Sequence, residues 1–508
     1  MTSPRSVETS VRGRSPLPHR DIFIAAGGIM LGALCSLVGL DIESGAIAIL
    51  SMGPLFISLD RRFTPELLFG PLLFAYVYHA FGYSLGPLGQ RYLANLGESY
   101  DSGGLMLAQW GAVLGLALYA LVYSRVFAFI FRRFPTRDET GQRFDMASFD
   151  GYALTLLLAS ITLITVAYMA GASRLSEDAE NLAPGLVTSI LAFQYIHRIV
   201  FFFLGWSAAR RGGRWMALWA IAFIVYSVFH AMEGSRGNVA IAAVLSAIGF
   251  VLGGFSRRRV LVFLVCMFIV FVPLSNTVVL YRTFYGHLYP TGIVDRVGAF
   301  LAAASDFNRM RQQGEASFLG ALFEDMTARA VDRVMIMTPN SIPYVGFEGL
   351  DAIIYVWVPL QLYPDRPSFS DGNNAAAEYG IGFKDGVGPT GGRTFVYMPT
   401  VGEGYRRFGW AGIPVVYAFS GTIFGATAAL AWAKRRRREW MAMMVWVLLN
   451  ASAPWTLTLI AGSYLVLSTV PRYFALFLLL RFAHDGVRAL LKAPRLRTPV
   501  ERHAIIPR

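Results

Sequence analysis

The chain has few charges and almost no lysine. Charged residues make up 15% of its 508 residues and hydrophobic residues 55%, a balance that excludes an ordinary soluble globular domain. Lysine occurs only at Lys384, Lys434 and Lys492. Because arginine fills nearly every other basic position, including plain loops, an arginine here is weaker evidence for bidentate anion binding than in most proteins.

Cysteines and familiar catalytic motifs are also scarce. Cys35 and Cys266 both lie inside apolar stretches, where cysteine packs as a small hydrophobic residue, and they exclude a disulfide framework or a zinc motif. No Asp-x-Asp, HExxH, Walker loop or GxSxG pattern occurs, which argues against the sites that these motifs build. Asp41 and Glu43 could offer oxygen ligands to a divalent cation, but two acids in a turn usually cap helices. No metal site is therefore predicted.

Twelve strongly apolar stretches dominate the rest of the sequence. Most of them approach the roughly 20 residues that a membrane-spanning helix needs. They cover residues 22–40, 44–59, 67–86, 104–131, 151–171, 184–207, 215–232, 239–255, 260–281, 410–433, 439–460 and 462–482. The sequence therefore predicts an all-α polytopic membrane protein with about 12 transmembrane helices.

Basic clusters occur at every second loop between these stretches. They lie at 5–20, 61–62, 132–143, 210–214, 257–259, 434–438 and from 481 onward. Positively charged loops usually face the cytoplasm, so both termini are predicted to be cytoplasmic, and the net charge of +13 reflects orientation rather than nucleic-acid binding. The predicted order is a basic tail (1–21), nine spans (22–281), a large outer loop (282–409), three spans (410–482) and a second basic tail (483–508).

The large outer loop has structure of its own. Residues 292–312 and 315–337 show helical apolar spacing, and the run 353–363 is too short to span a membrane and contains Pro359. We expect two helices against the bundle, followed by a re-entrant or interfacial element. Gly421-x-x-x-Gly425 in the tenth stretch permits close helix packing, which we interpret as a contact within the monomer rather than a dimer contact.

The first candidate site residues are two arginines. An enzyme that acts on a lipid-linked substrate must bind an anion at the membrane surface, and arginine beside backbone donors suits that task. Arg236 lies in the short segment Glu233-Gly-Ser-Arg-Gly-Asn238 between two spans; a tight turn with a Glu233–Arg236 ion pair is the alternative. Arg366 is held between two prolines, Pro364 and Pro367, which restrict the backbone.

A second set of candidates directly precedes the tenth stretch. Glu403, Arg406 and Arg407 lie at the start of a predicted helix, which limits their movement. The alternative is an interfacial belt of aromatic side chains with flanking charges. His287 could act as a base or simply lie at the interface.

These features together resemble the bacterial oligosaccharide repeat unit polymerases of the Wzy, or O-antigen polymerase, family. The resemblance rests on the many-span layout, the Gly-Ser-Arg-Gly segment, the large late outer loop, Leu362-Tyr-Pro-Asp-Arg-Pro367 and Pro399-x-x-Gly-Glu-Gly-Tyr-Arg-Arg-Phe-Gly409. It covers the topology of the whole chain, and its motifs lie in roughly the last half.

The resemblance implies a GT-C-like bundle that transfers glycans at the periplasmic face of the inner membrane. A glycan on undecaprenyl diphosphate would pass to the terminal sugar hydroxyl of a second lipid-linked repeat unit, building O-antigen, capsule or exopolysaccharide. The implied partners are the lipid-linked donor and acceptor, membrane lipid, a chain-length regulator and a flippase. No cofactor is implied, and the reaction would be independent of metal.

The resemblance also suggests roles for the candidate residues. The residues that would offset the charge of the departing diphosphate are Arg236, Arg366 and Arg393, with Arg406 and Arg407 in reserve. Glu403 is the first choice for the general base and His287 the second. A ligase that moves the finished glycan to another lipid, or a flippase or transporter, is the alternative, although the sequence shows none of the internal repeats common in transporters.

Overall fold

The computed structural model describes residues 103–133, 146–169, 196–232, 236–281, 293–312, 326–357, 378–379, 398–435 and 459–478. All regular elements in these ranges are helical, and the same ranges contain no strand. The predicted tails and the predicted spans at 22–40, 44–59 and 67–86 lie outside the described residues, as does the predicted span 439–460 except for its last two residues.

The helices follow the predicted apolar stretches closely. They are α1 (Gly103–Arg133), α2 (Met146–Met169), α3 (Ile196–Arg211), α4 (Gly213–Met232), α5 (Arg236–Gly253), α6 (Arg257–Leu280), α7 (Ile293–Gln312), α8 (Met326–Met337), α9 (Thr400–Phe408), α10 (Gly412–Arg435) and α11 (Leu459–Tyr464). A 3-10 helix, Leu350–Trp357, lies between α8 and α9, and α11 continues through a π-helical turn, Leu465–Thr469.

Four of the described helical segments are long and apolar enough to cross a membrane. They are Trp110–Arg133, Gly213–Met232, Arg258–Val278 and Thr400–Leu430. Shorter apolar helices occur at Asp150–Val166, Gly237–Gly253 and Val466–Leu478. The all-helical architecture and the membrane-length helices are therefore confirmed for this part of the chain.

Close contact between α1 and α10 depends on glycine facing tyrosine. A methyl group placed on Gly115 would lie 2.2 Å from the ring of Tyr417. One turn further along both helices the relation reverses, because a methyl group on Gly421 would lie 2.8 Å from the carbonyl oxygen of Tyr119. The two helices therefore run parallel, and glycines of each helix pack against tyrosines of the other.

The Gly421-x-x-x-Gly425 motif is part of this intramolecular contact. Gly425 faces the carbonyl oxygen of Tyr123, 2.7 Å from the position of a methyl group. Tyr119, Tyr123 and Tyr417 are fully buried. The interpretation of the motif as packing within the monomer is confirmed.

A second glycine motif, Gly249-x-x-x-Gly253, brings α5 against α3. A methyl group on Gly249 would lie 2.3 Å from the carbonyl oxygen of Phe202, and one on Gly253 would lie 2.6 Å from the Ala209 side chain. The contacts advance together along the two helices, so α3 and α5 are also parallel. The helix α4 lies between them in sequence and returns the chain in the opposite direction.

Polar contacts fix α2 to the end of α3. The Ser207 hydroxyl donates to Asp150 Oδ1 at 2.8 Å, and Arg211 Nη2 lies 2.7 Å from Asp150 Oδ2. Asp150 is buried although it carries a charge. A buried carboxylate needs such partners, because an unpaired charge in an apolar environment is costly.

The largest difference from the sequence prediction concerns residues 400–408. The sequence placed them at the end of the outer loop, whereas in the structure they form a separate buried helix, α9, at the start of the apolar segment Thr400–Leu430. The helix ends at Gly409, whose φ of 60° favours glycine. The chain then turns into α10 through the short 3-10 turn Gly409–Ala411.

Candidate functional site

Helix α9 brings three charged side chains into the protein interior. Its sequence suits a short helix, with Glu403 in the first turn and Arg406 and Arg407 in the last, where each charge complements the helix dipole. In the folded chain Glu403 is 2% exposed, Arg406 4% and Arg407 1%. These residues form what we call the α9 charge cluster.

Glu403 and Arg407 form a buried ion pair along α9. Arg407 Nε lies 3.3 Å from Glu403 Oε1, and the other carboxylate oxygen, Oε2, accepts a hydrogen bond from the backbone N–H of Leu459 at 2.7 Å. Leu459 is the first residue of α11. The Glu403 carboxylate therefore connects α9 to the beginning of α11.

Arg407 also binds the segment that precedes the 3-10 helix. Its Nη1 donates to the carbonyl oxygens of Gly346 and Glu348, both at 2.9 Å. In return, the N–H of Gly346 donates to the Arg407 carbonyl at 3.1 Å, and the N–H of Val345 donates to the Arg406 carbonyl at 3.0 Å. Both the Arg407 side chain and the backbone of the last turn of α9 are therefore bound to residues 345–348.

Arg406 makes a separate set of contacts. Its Nε donates to Glu378 Oε2 at 3.1 Å, its Nη2 also reaches that oxygen, and its guanidinium lies 5.9 Å from the ring centre of Tyr379. The Tyr379 hydroxyl shares a hydrogen bond of 2.7 Å with Thr338 Oγ1. Burial raises the pKa of Tyr379 above its ordinary value, so the phenol stays neutral and can donate at physiological pH.

A second polar cluster lies where α3, α4 and α5 meet. Arg198 donates through Nη2 to Asn238 Oδ1, and Asn238 Nδ2 lies 3.0 Å from His230 Nδ1. The rings of His197 and Tyr226 lie 5.2 and 4.3 Å from that of His230. The hydrogen-bonded side chains of Arg198, Asn238 and His230 are all buried.

This cluster lies next to Arg236 in the chain. Arg236 is the first residue of α5, and Gly237 and Asn238 follow it in the first turn of that helix. Arg198 was not among the predicted site residues, because it lies inside an apolar stretch. The sequence does contain one indication of its importance, which is the charge of Arg198 inside a predicted span. An ionisable residue within a membrane-spanning stretch is usually retained for a function.

The structure places Glu403, Arg406 and Arg407 on one short buried helix, where Arg407 pairs with Glu403 and Arg406 pairs with Glu378. His287, Arg366 and Arg393 lie outside the described residues, as do Asp41 and Glu43. Their predicted roles, and the meeting of Arg236 with Arg366, remain predictions. Within the described ranges, no group of three or more His, Cys, Asp or Glu side chains is arranged to hold a metal ion.

Fold and site together define a class: an all-helical protein with membrane-length apolar helices and a buried charge cluster at the start of one of them. No family model matches the sequence, and no curated protein or solved structure matches it significantly.

The Arg198 cluster offers a test of its structural importance. Replacing Asn238 with alanine removes the amide that links Arg198 to His230. Because buried polar groups that lose a partner cost about 1–3 kcal/mol each, we expect the melting temperature of the purified protein to fall by several degrees. Asn308→Ala, at an exposed position of α7, is the matched control. Equal melting temperatures for the two variants would contradict this interpretation.

Proposed function

We propose that the protein is a glycosyltransferase that polymerises undecaprenyl-diphosphate-linked oligosaccharide repeat units at the periplasmic face of the bacterial inner membrane. The observation that carries the proposal is the α9 charge cluster, three buried ionisable side chains at the start of the apolar segment Thr400–Leu430. Charges are costly in or beside a membrane interior, so they are normally kept there for a function.

The chemistry of the cluster fits a lipid-linked diphosphate. Arginine offers a planar fork of N–H donors that matches phosphate oxygens, and its charge persists at any physiological pH. Arg406 and Arg407 are adjacent on one short helix, and Glu378, Glu403 and the 346–348 backbone hold their guanidinium groups in fixed orientations. Preorganised cations can stabilise the negative charge that develops on a departing diphosphate.

Glu403 has a more constrained position than a freely exposed base. Its two carboxylate oxygens already accept from Arg407 and Leu459. A carboxylate has about four acceptor sites on its two oxygens, so an acceptor hydroxyl can bind Glu403 beside these donors and pass it a proton. In the proposed reaction Glu403 both fixes Arg407 and receives the proton of the acceptor hydroxyl.

The orientation proposed here places the basic ends of the helices in the cytoplasm. Arg132 and Arg133 end α1, and Arg210 and Arg211 end α3. Because α1 and α10 run parallel, α9 lies at the opposite end from Arg132 and Arg133. The positive-inside tendency then puts the α9 charge cluster on the periplasmic side, where the lipid-linked repeat units would be joined.

The direct test uses purified protein in liposomes with synthetic undecaprenyl-diphosphate-linked repeat units, without nucleotide or added metal. We expect a ladder of glycans by gel or mass spectrometry. Glu403→Gln, which keeps the shape but not the base, should slow elongation by about 10²–10⁴-fold. Asp295→Asn, the corresponding carboxylate-to-amide change at an exposed position of α7, should leave it unchanged.

The other outcomes separate the alternatives. A single transfer to a different lipid, without a ladder, would favour a ligase. Movement of a labelled lipid-linked glycan across the bilayer, without any new glycosidic bond, would favour a flippase or transporter. Either result overturns the proposed polymerase.

A further inference from the structure

An exposed apolar surface lies beside the α9 charge cluster. Tyr344 is 44% exposed, Phe347 77%, Ile354 75% and Trp410 43%. We call these four residues the apolar edge. Large apolar side chains clustered on a surface usually mark a binding site for another molecule or for a membrane.

The three aromatic residues of the apolar edge belong to the same packed unit as α9. The ring of Phe347 lies 5.0 Å from that of Phe408, and the ring of Tyr405 lies 6.3 Å from Tyr344 and 5.8 Å from Trp410. The backbone hydrogen bonds of residues 345 and 346 to α9 fix the segment further. These ring contacts and backbone hydrogen bonds therefore fix the positions of the exposed rings relative to α9.

The edge continues directly into an apolar helix. Trp410 precedes α10 by two residues, and on α10 itself Val415 is 53% exposed. Both belong to the segment Thr400–Leu430, which is apolar and long enough to cross a membrane. In a membrane-spanning helix the exposed apolar side chains face lipid, so the surface next to them would meet the same bilayer.

The residue types indicate the depth at which the edge meets the bilayer. Tyrosine and tryptophan prefer the boundary between headgroups and hydrocarbon, where a ring is buried and its polar atom stays hydrated. Asp351, one 3-10 turn before Ile354, is exposed as well. Because an acid avoids hydrocarbon, Asp351 keeps this face from sinking deeper.

We infer that the apolar edge, Tyr344, Phe347, Ile354 and Trp410, is a lipid-contacting surface that inserts at the headgroup boundary of the bilayer. Arg406 and Arg407 lie directly behind it on α9, bound to the backbone of residues 345–348. Insertion would place these guanidinium groups near the level of lipid phosphates. Lipid contact at this surface does not require any particular reaction, so it can be tested independently of the proposed polymerase activity.

The test measures where position 347 lies relative to the membrane. In a Cys35→Ser, Cys266→Ser background, Phe347→Cys is labelled with an environment-sensitive fluorophore, and the protein is reconstituted into phosphatidylcholine and phosphatidylglycerol vesicles. We expect lipids with a spin label near the headgroup to quench most of the fluorescence, and iodide on both sides of the vesicle to quench little. The same label at Arg309→Cys, an exposed position on α7, should respond in the opposite way.

Two results would overturn the inference. The first is efficient iodide quenching at position 347 with no quenching by labelled lipid. The second is cross-linking of two copies by a bifunctional maleimide at that position, which would show a second chain on the edge instead of lipid. Ile354→Cys, labelled in the same background, repeats the measurement if the change at Phe347 lowers the yield of folded protein.

Discussion

Replacing Arg407 with alanine is expected to cost about 3–5 kcal/mol of folding free energy, because the change breaks a buried ion pair and leaves one charge behind. The Glu403 carboxylate would stay buried without its guanidinium. The carbonyl oxygens of Gly346 and Glu348 would lose their donor at the same time. Such a loss is comparable to much of the stability of a typical domain, so we expect a strongly reduced yield of monodisperse protein and a much lower melting temperature.

The control for Arg407→Ala is Arg309→Ala. Arg309 also pairs with an acid, Asp306 at 3.1 Å, but its side chain is 69% exposed. Exposed pairs contribute about 0–1 kcal/mol, so this variant should melt close to wild type. Comparable melting temperatures for the two arginine variants would show that the buried pair does not stabilise the fold.

A double-mutant cycle separates the ion pair from the other contacts of Arg407. The variants are Glu403→Gln, Arg407→Met and the two combined, each followed by thermal unfolding. If the pair carries the effect, the double variant should be less destabilised than the sum of the single variants, since neither charge is then left alone. Additive losses would instead assign the effect to the carbonyl contacts at residues 346 and 348.

The sequence was sufficient to predict the helices that the membrane-length apolar runs encode. The stretches 104–131, 215–232, 260–281 and 410–433 correspond to α1, α4, α6 and α10. The length of an apolar run can be determined from that run alone, without knowledge of its tertiary partners. The helix 292–312 was also recognisable, because its apolar spacing repeats over several turns and matches α7.

The buried state of α9 could not be predicted in this way. Its composition, with Glu403, Arg406 and Arg407 in nine residues, is that of an exposed segment. The burial depends on partners far away in the chain, at residues 346–348, 378 and 459. Such pairing is a property of the tertiary fold, so local pattern and propensity predict the residue types of the site but not their environment.

The same limit explains why Arg198 was missed. Its partner Asn238 lies forty residues further on, and the two meet only because α3 and α5 pack in parallel. That packing depends on Gly249 and Gly253, whose spacing is visible in the sequence. The glycine motif and Arg198 are both visible in the sequence. Only the folded structure shows that the helix contact made by the glycines brings Arg198 to Asn238.

Gly412→Ala is expected to disturb the α9 charge cluster without changing any charged residue. Gly412 has φ −70° and ψ −32°, ordinary helical values, so alanine fits its backbone conformation. A methyl group there would nevertheless lie 1.9 Å from the carbonyl oxygen of Gly404. Because that atom belongs to the backbone of α9, the helix must move away from α10, and such overpacking costs about 1–3 kcal/mol or more.

The matched control is Gly298→Ala on α7, where a methyl group would have no heavy atom within 4 Å. Alanine in a helix is favoured over glycine by about 0.5–1 kcal/mol, so this variant should melt at or above the wild-type temperature. Gly412→Ala should melt several degrees lower and, in the liposome assay, lose elongation even in the fraction that stays folded, because a shift of α9 moves both arginines together. If Gly412→Ala has the same melting temperature and the same rate of glycan elongation as Gly298→Ala, the spacing of α9 and α10 does not set the geometry of the site.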